Sequence, residues 1–149
     1  MADILITGAN GQLGTELRHL LNQKGIDYQA FDSQGLDITD RQTVAKRFAA
    51  IQPKVVFHCA AYTAVDKAED EGKEANWQVN AEGTKNIAQA AHQYDATLVY
   101  ISTDYVFDGT NAGEYSTSLC SPLSLFSAIN LPACLNTQQS LLVWLAGFS

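Results

Sequence analysis

The first hundred residues alternate between short apolar runs and longer segments in which apolar residues recur at helical spacing. Residues 4–7 (ILIT) form an apolar run that ends at a glycine, and leucines then recur every three or four residues until Gly25. This pattern predicts a strand, a glycine turn and a helix that Gly25 terminates. The same order repeats along the chain, which is typical of a parallel sheet covered by helices on both faces.

The later elements are predicted from the same alternation. Strands are expected over residues 27–31, 54–61 and 97–102. Helices are expected over residues 39–53 and 74–94. Thr39 or Asp40 is the expected N-cap of the first of these helices, because both side chains can accept a backbone hydrogen bond. The apolar residues of the second mark its expected buried face: Trp77, Ala81, Ile87, Ala88 and Ala91. The sequence therefore predicts an α/β fold with a doubly wound parallel sheet.

The last 34 residues differ in composition from the rest of the chain. All 25 charged residues lie at or before Glu114, so residues 116–149 carry no formal side-chain charge. A stretch of this length cannot be buried entirely in one small domain. It is either an unusual apolar tail or a segment foreign to the fold, and we favour the second interpretation. We therefore predict one folded domain over residues 1–115, with an incomplete sheet, and a tail over residues 116–149 that is not native to it.

Length and charge narrow the class of protein. A chain of 149 residues with 46% hydrophobic content is long enough for one domain with a substantial core. The net charge of -7, with nine scattered basic residues, argues against a nucleic-acid surface and favours a small-molecule partner. Three cysteines without ligand spacing predict reduced thiols and no metal site. The first residues show no basic n-region and no long apolar h-region, so secretion is not expected. The apolar run at 141–148 is shorter than the roughly 20 residues that span a bilayer. A cytoplasmic protein without a membrane segment is expected.

The glycine turn after the first strand carries the clearest chemical signal. The stretch TGANGQLG places Gly8, Gly11 and Gly14 at three-residue spacing between a strand and a helix. In that context one glycine forms the tight turn, one lets a pyrophosphate approach the backbone, and one allows close packing of the helix on the strand. The free N–H groups at the start of the helix, where Gln12 and Leu13 lie, then face the phosphates. Dinucleotide binding is favoured over a merely structural turn.

Two acidic positions follow at the carboxyl end of the second strand. Asp32 is placed to accept the hydroxyl protons of an adenosine ribose, and no cation is adjacent in sequence to hold a 2′-phosphate, which favours NADH. An ordinary strand-end turn is the alternative for Asp32. In the stretch LDITD, Asp37 and Ile38 are candidates for contact with the adenine edge and face. A plain helix-capping turn explains this stretch equally well.

Five stretches together resemble a known family. ITGANGQLG, LDITD, HCAAYTAVDKAE, VNAEGTKNIA and YISTDYVFDG occur in this order over residues 1 to about 115. They resemble the extended short-chain dehydrogenase/reductases, and within them the dTDP-4-dehydrorhamnose reductases. The resemblance implies a Rossmann-like NAD(P)-binding domain that uses NADPH or NADH to reduce the 4-keto group of dTDP-4-dehydro-L-rhamnose, in the synthesis of dTDP-L-rhamnose for polysaccharides. The implied partner is a dTDP-sugar, and a homodimer is typical of such enzymes.

The resemblance also implies roles for individual residues. The loop after the third strand, with Ala61, Tyr62 and Thr63, would contact the cofactor. Thr103, as the catalytic residue, and Asp104 would meet the substrate after the fourth strand. A threonine hydroxyl at a strand end can both donate to and accept from a substrate oxygen, although a capping hydroxyl is the alternative. For Asn80, a bond to neighbouring backbone and a part in a proton relay remain open. Nothing in the sequence pairs the three histidines.

One group required by the resemblance is missing from the sequence. Such reductases protonate the product with a Tyr whose pKa is lowered by a Lys four residues later. None of the six tyrosines is followed by a lysine at that spacing, and the last lysine is Lys85. We therefore expect weak or absent turnover by this chain. The alternative is a non-catalytic NAD(P)-binding or regulatory subunit, whereas an epimerase or dehydratase is disfavoured by STDYVFDG.

Overall fold

The computed structural model describes residues 2–64, 71–102 and 140–144 of the chain. The strands are β1 (Ile4–Thr7), β2 (Gln29–Phe31), β3 (Val55–His58), β4 (Thr97–Ser102) and β5 (Ser140–Trp144). The helices are α1 (Gln12–Gln23), α2 (Arg41–Ile51), α3 (Lys73–Asn76) and α4 (Thr84–Gln93), and a π-helical segment, Trp77–Gly83, joins α3 to α4. We call Trp77–Gly83 the π segment.

The strands form one parallel sheet in the order β2-β1-β3-β4-β5. Leu5 in β1 lies opposite Gln29 on one side and Val56 on the other. The chain moves from β1 to β2 in one direction and from β2 to β3 in the other, so right-handed connections place α1 and α2 on opposite faces. The predicted Rossmann-like α/β fold is confirmed. Ligands bind such sheets at the carboxyl edge where the order reverses, here between β1 and β3.

The fifth strand comes from the segment that we expected to be foreign to the fold. Residues Ser140–Trp144 pair in parallel with β4, with Leu142 opposite Tyr100. For these five residues the expectation of a tail outside the fold is wrong, because their backbone extends the sheet. The boundary at residue 115 and the incomplete sheet stay predictions.

The core lies between the sheet and the helices α2 and α4. Its largest buried side chains come from each of these elements: Phe48, Leu5, Ile87, Leu98 and Val56. Burying a side chain of this size stabilises the fold by about 1.5–3 kcal/mol. Of the predicted buried face of the long helix, all but Trp77 is buried. Trp77 is 37% exposed, because the wider turns of the π segment shift the face that a regular helix would present.

Two predicted element ends are confirmed. Asp40 is the N-cap of α2, since its Oδ1 accepts a hydrogen bond of 2.9 Å from the backbone N–H of Gln42. Gly25 follows α1 with a φ of 64°, the left-handed conformation in which glycine is favoured. Within the described ranges, no helix combines the length and apolar character that crossing a membrane needs.

Candidate functional site

The glycine turn after β1 is fixed by close backbone packing. Gly8 has a φ of 67°, and the N–H of Gly11 donates to its carbonyl over 3.1 Å. A Cβ on Gly8 would lie 2.6 Å from the backbone nitrogen of Ala60, after β3. A Cβ on Gly14 would collide with the carbonyl oxygen of Gly8 and lie 3.0 Å from Cα of Ala9. Gly8 and Gly14 are therefore required by the fold itself.

Gly11 differs from the other two glycines. Its backbone is extended, with φ -72° and ψ 169°, and a Cβ would meet only the carbonyl oxygen of Gly8, at 3.4 Å. Packing within the described structure thus does not demand a glycine here. Gly11 lines an open groove of about 460 Å³ together with Asn10, Gln12, Thr15 and Glu16. Its missing side chain keeps the backbone accessible from the groove, as a pyrophosphate requires.

The first turn of α1 presents free hydrogen-bond donors to this groove. No side chain caps the helix, and its first turn contains no acidic residue. The first backbone bond into the helix runs from Thr15 to Gly11, so no described group accepts from the N–H of Gln12, Leu13 or Gly14. These donors and the positive end of the helix dipole attract an anion. The arrangement fits a dinucleotide pyrophosphate.

Asp32 links the end of β2 to the glycine turn. Its Oδ1 accepts hydrogen bonds from the backbone N–H of Gln34 (3.1 Å) and Gly35 (2.9 Å). Its Oδ2 accepts from the side-chain amide of Asn10 over 2.7 Å. The turn that we kept as an alternative is thus present, while Oδ2 retains a second acceptor site for a ribose hydroxyl.

A cation that sequence reasoning missed lies one side chain away from this carboxylate. Nη1 of Arg18 donates to the carbonyl oxygen of Ala9 (3.1 Å) and lies 3.5 Å from Oδ1 of Asn10, the side chain that bonds Asp32. The argument that no cation is near Asp32 holds only for its sequence neighbours. Nε of Arg18 is buried and has no partner among the described residues. The signal that could have found Arg18 is its place on α1, one turn beyond Gly14.

The side chains of Asp37 and Ile38 are used by the protein itself. Oδ1 of Asp37 accepts from the backbone N–H and the hydroxyl of Thr39, at 2.9 Å and 2.7 Å. Ile38 is only 6% exposed, and a Cβ on Gly83 would lie 2.7 Å from its Cδ1. These contacts favour the capping-turn interpretation, and adenine contact by either residue stays a prediction.

The loop after β3 is held from the π segment. The backbone N–H of Tyr62 donates to Oδ1 of Asn80 over 2.8 Å, and Nδ2 of Asn80 donates to the Tyr62 carbonyl oxygen over 3.0 Å. Asn80 therefore bonds backbone 18 positions away in sequence and, through Nδ2, the side chain of Asn76 four residues before it. A part of Asn80 in a proton relay stays a prediction. Ala61 and Thr63, on either side of Tyr62, are exposed at the carboxyl edge of the sheet.

His58, at the end of β3, is fully buried between two threonines. Its Nδ1 lies 2.7 Å from Oγ1 of Thr7, and its Nε2 lies 3.0 Å from Oγ1 of Thr84. The sequence alone indicated no partner for His58, whereas the fold brings Thr7 of β1 and Thr84 of α4 against its ring. Burial lowers the pKa of His58 to about 4, so the ring is neutral near pH 7. Burial also raises the pKa of the adjacent Cys59 thiol to about 11.

The predicted substrate residues Thr103 and Asp104 lie outside the described residues. β4, which they follow, ends at Ser102 on the same edge of the sheet as β3. In the part of the chain that the structure describes, no three His, Cys, Asp or Glu side chains are grouped as metal ligands.

Comparison with known proteins identifies the family. The model of the family described as the RmlD substrate binding domain matches residues 1–131. This chain belongs to the RmlD substrate binding domain family. The family match continues past residue 115, where we placed the end of the domain.

Several relatives of this RmlD-family chain are named dTDP-4-dehydrorhamnose reductase. The protein of that name from Aggregatibacter actinomycetemcomitans is 41% identical over 128 residues, which are 85% of this chain and 43% of the relative. The crystal structure of the Bacillus anthracis reductase in complex with NADP is 37% identical, with a TM-score of 0.85 over 97% of this chain and 53% of the other. The Clostridium acetobutylicum structure is 40% identical, with a TM-score of 0.85 over 95% and 52%. The chain thus spans about half the length of these relatives.

Proposed function

We propose that this chain binds NADPH or NADH at the glycine turn and serves the reduction of the 4-keto group of dTDP-4-dehydro-L-rhamnose. The observation that carries the proposal is the uncapped start of α1, where Gln12, Leu13 and Gly14 offer free N–H groups above the turn. Gly8 and Gly14 shape the turn, and Gly11 keeps its backbone accessible. The bound NADP of the Bacillus anthracis relative supports the assignment.

The sheet order sets the orientation of the cofactor. The adenosine half belongs on the β2 side of the reversal, with Asp32 beside the ribose and Asp37 and Ile38 near the adenine. The nicotinamide half then extends toward β3 and β4. There the loop with Ala61, Tyr62 and Thr63 lies at the edge of the sheet.

Arg18 bears on the choice between the two cofactors. The carboxylate of Asp32 suits the free ribose hydroxyls of NADH. The guanidinium of Arg18, one side chain away through Asn10, provides a cation for the 2′-phosphate of NADPH. We infer that both cofactors bind. Asp32 can accept hydrogen bonds from the ribose hydroxyls of NADH, and Arg18 can attract the 2′-phosphate of NADPH.

The substrate is assigned to the edge beyond β4. When bound, the reduced nicotinamide supplies the hydride. Thr103 is proposed to hold the substrate oxygen and Asp104 to contact the dTDP-sugar, as the resemblance implies. The 149 residues contain no tyrosine with a lysine four residues later, so we propose that they turn over the sugar nucleotide weakly or not at all. The glycine turn would also serve a second candidate function, a non-catalytic NAD(P)-binding or regulatory subunit, which needs only the cofactor groove.

Fluorescence titration of NADH and NADPH against the purified chain tests the binding site. Gly11→Ala adds a methyl group that meets no protein atom closer than 3.4 Å, so the fold should be retained. The methyl group should nevertheless weaken cofactor binding by about tenfold, or 1.4 kcal/mol, because it blocks approach to the backbone. His19→Ala, an exposed change on the same helix, is the matched control and should bind like the wild type.

Two results would overturn parts of this proposal. Absence of binding by the folded wild-type chain at millimolar cofactor would remove the cofactor site. Oxidation of NADPH by the chain in the presence of dTDP-4-dehydro-L-rhamnose, at rates typical of enzymes, would contradict the proposed lack of turnover and exclude the non-catalytic candidate.

A further inference from the structure

One helical element contacts both loops that flank the cofactor groove. The π segment and α4 run on without a break from Trp77 to Gln93. Three of their residues, at intervals of three positions, contact backbone or side chains of the loops after β2 and β3. We call Asn80, Gly83 and Asn86 the loop clamp.

Asn80 holds the loop after β3 through the backbone N–H and the carbonyl oxygen of one residue, Tyr62. The Asn80 amide accepts from the N–H and donates to the carbonyl oxygen of Tyr62, at 2.8 Å and 3.0 Å. Nδ2 also donates to Oδ1 of Asn76 over 2.6 Å, and Asn76 and Asn80 are 1% and 6% exposed. An amide is suited to this task because it carries both donors and an acceptor without charge. Lost contacts at this depth would leave buried polar groups unpaired.

Asn86 and Gly83 hold the loop after β2. Nδ2 of Asn86 donates to the carbonyl oxygens of Ile38 (3.0 Å) and Thr39 (3.3 Å). Gly83 leaves the space that the side chain of Ile38 fills. The same helical element therefore fixes one loop on each side of the order reversal in the sheet.

We propose that the loop clamp is a set of positioning residues, in which Asn80 orders the nicotinamide side of the groove and Asn86 orders the adenosine side. The inference rests on the proposed function, because the two sides are defined by the cofactor orientation given above. Neither side chain touches the cofactor in this assignment. Each lowers the cost of binding by holding a loop in place beforehand.

The first test needs no cofactor. In the wild-type chain the amide hydrogen of Tyr62 is held by Asn80 and should exchange slowly with solvent, as measured by NMR. Asn80→Ala should increase its exchange rate by at least about tenfold, because its acceptor is removed. Gln78→Ala is the matched control, since Gln78 is exposed on the same π segment and its side chain donates to Glu74, away from Tyr62. Unchanged exchange at Tyr62 in Asn80→Ala would overturn the clamp.

The second test separates the two halves of the groove. Asn80→Ala should raise the Kd of NADH about threefold to tenfold while leaving the Kd of ADP-ribose, which lacks the nicotinamide, within about twofold. Asn86→Ala should raise both values by similar factors. Equal effects of Asn80→Ala on the two ligands would refute the assigned division.

Failure of the clamp and failure of the proposed function give different results. If the wild-type chain binds no cofactor while Asn80→Ala still frees the Tyr62 amide, the proposed function fails and the loop contact stands. If Asn80→Ala does not fold, Asn80→Ser replaces it, because its shorter side chain has no amide donor for the Tyr62 carbonyl oxygen and holds the Tyr62 N–H less closely; it should show the same changes in smaller measure. Asn86→Ala, on a half-buried residue, then carries the second test.

Discussion

His58 joins three elements beneath the groove. The N–H of Ala60 donates to Oγ1 of Thr7 over 3.4 Å, so the Thr7 hydroxyl is free to donate to Nδ1 of His58. Nε2 then carries the ring hydrogen and donates to Oγ1 of Thr84. The assigned tautomer is neutral and satisfies both ring nitrogens. A second proton would remove the acceptor on Nδ1 and place a charge where water is excluded.

Acid should destabilise the protein through His58. Burial lowers its pKa from 6.5 to about 4, so between these values the unfolded chain binds a proton that the folded chain does not. The contribution is fully present above pH 6.5 and is lost as the pH falls toward 4, on the order of 3 kcal/mol. The free energy of unfolding, measured with urea at several pH values in this range, should depend less on pH in His58→Gln than in the wild type.

The exposed residue His92 provides the control for this prediction. His92→Gln should follow the wild-type curve, since its side chain lies at the surface of α4. A His58→Gln curve parallel to that of the wild type would show that His58 does not cause the acid sensitivity.

The residues that sequence analysis found differ from those that it missed in the sequence separation of their contacts. Gly8 and Gly14 were predictable because their spacing marks a consecutive strand, turn and helix, although Gly8 also packs against Ala60 after β3. The sequence did not predict the contacts of Arg18 and Asn80, because folding alone brings their partners close to them. Asn80 and Tyr62 are 18 positions apart. Such pairs depend on strand order and register, which a single sequence specifies only indirectly.

At the scale of elements, regular spacing predicted most of the structure. β1 and β4 agree with their predicted ranges, and the first helix ends at Gln23, two residues before the glycine that was predicted to terminate it. The π segment was not predicted, because its residues still read as helical. Its effect on Trp77 shows that a local change in helical pitch alters exposure without altering the kind of element.

The contact between Gly83 and Ile38 predicts a local cost for a small substitution. In Gly83→Ala the added methyl group would lie 2.7 Å from Cδ1 of Ile38, the movable end of a side chain. Overpacking of about 1–3 kcal/mol, partly offset by about 1 kcal/mol of helix propensity, should leave a net loss of about 1 kcal/mol. Urea unfolding measures this loss, and Gln89→Ala, exposed on the same element, is the control. Equal or greater stability of Gly83→Ala would show that Ile38 moves aside freely.

At the scale of the whole molecule, the sheet should have a graded stability. β1 and β3 have a strand on both sides, whereas β2 has three residues and lies at an edge. Hydrogen exchange measured by mass spectrometry should therefore be slowest in β1 and β3 and faster in β2. Slow hydrogen exchange along β4 would support its pairing with β5, because that pairing makes β4 an interior strand. Exchange in β4 as fast as in β2 would indicate that β5 does not pair.

The fold class was predictable because alternating strands and helices leave few ways to build a parallel sheet. The fifth strand was not, since residues 140–144 are part of a charge-free stretch without clear periodicity. Their place beside β4 follows from sheet pairing, which composition does not reveal.

The contact between Gly8 and Ala60 also has a consequence for the order of folding. Residues 8–14 hold the whole glycine motif, yet one wall of the turn comes from the chain after β3, and Thr7 meets His58 across 51 positions of sequence. Closing a loop of that length costs entropy before any contact repays it. A peptide that ends before β3 would therefore contain every motif glycine and still lack the turn's final shape. The cofactor loop, although encoded locally, should be completed only when β3 docks.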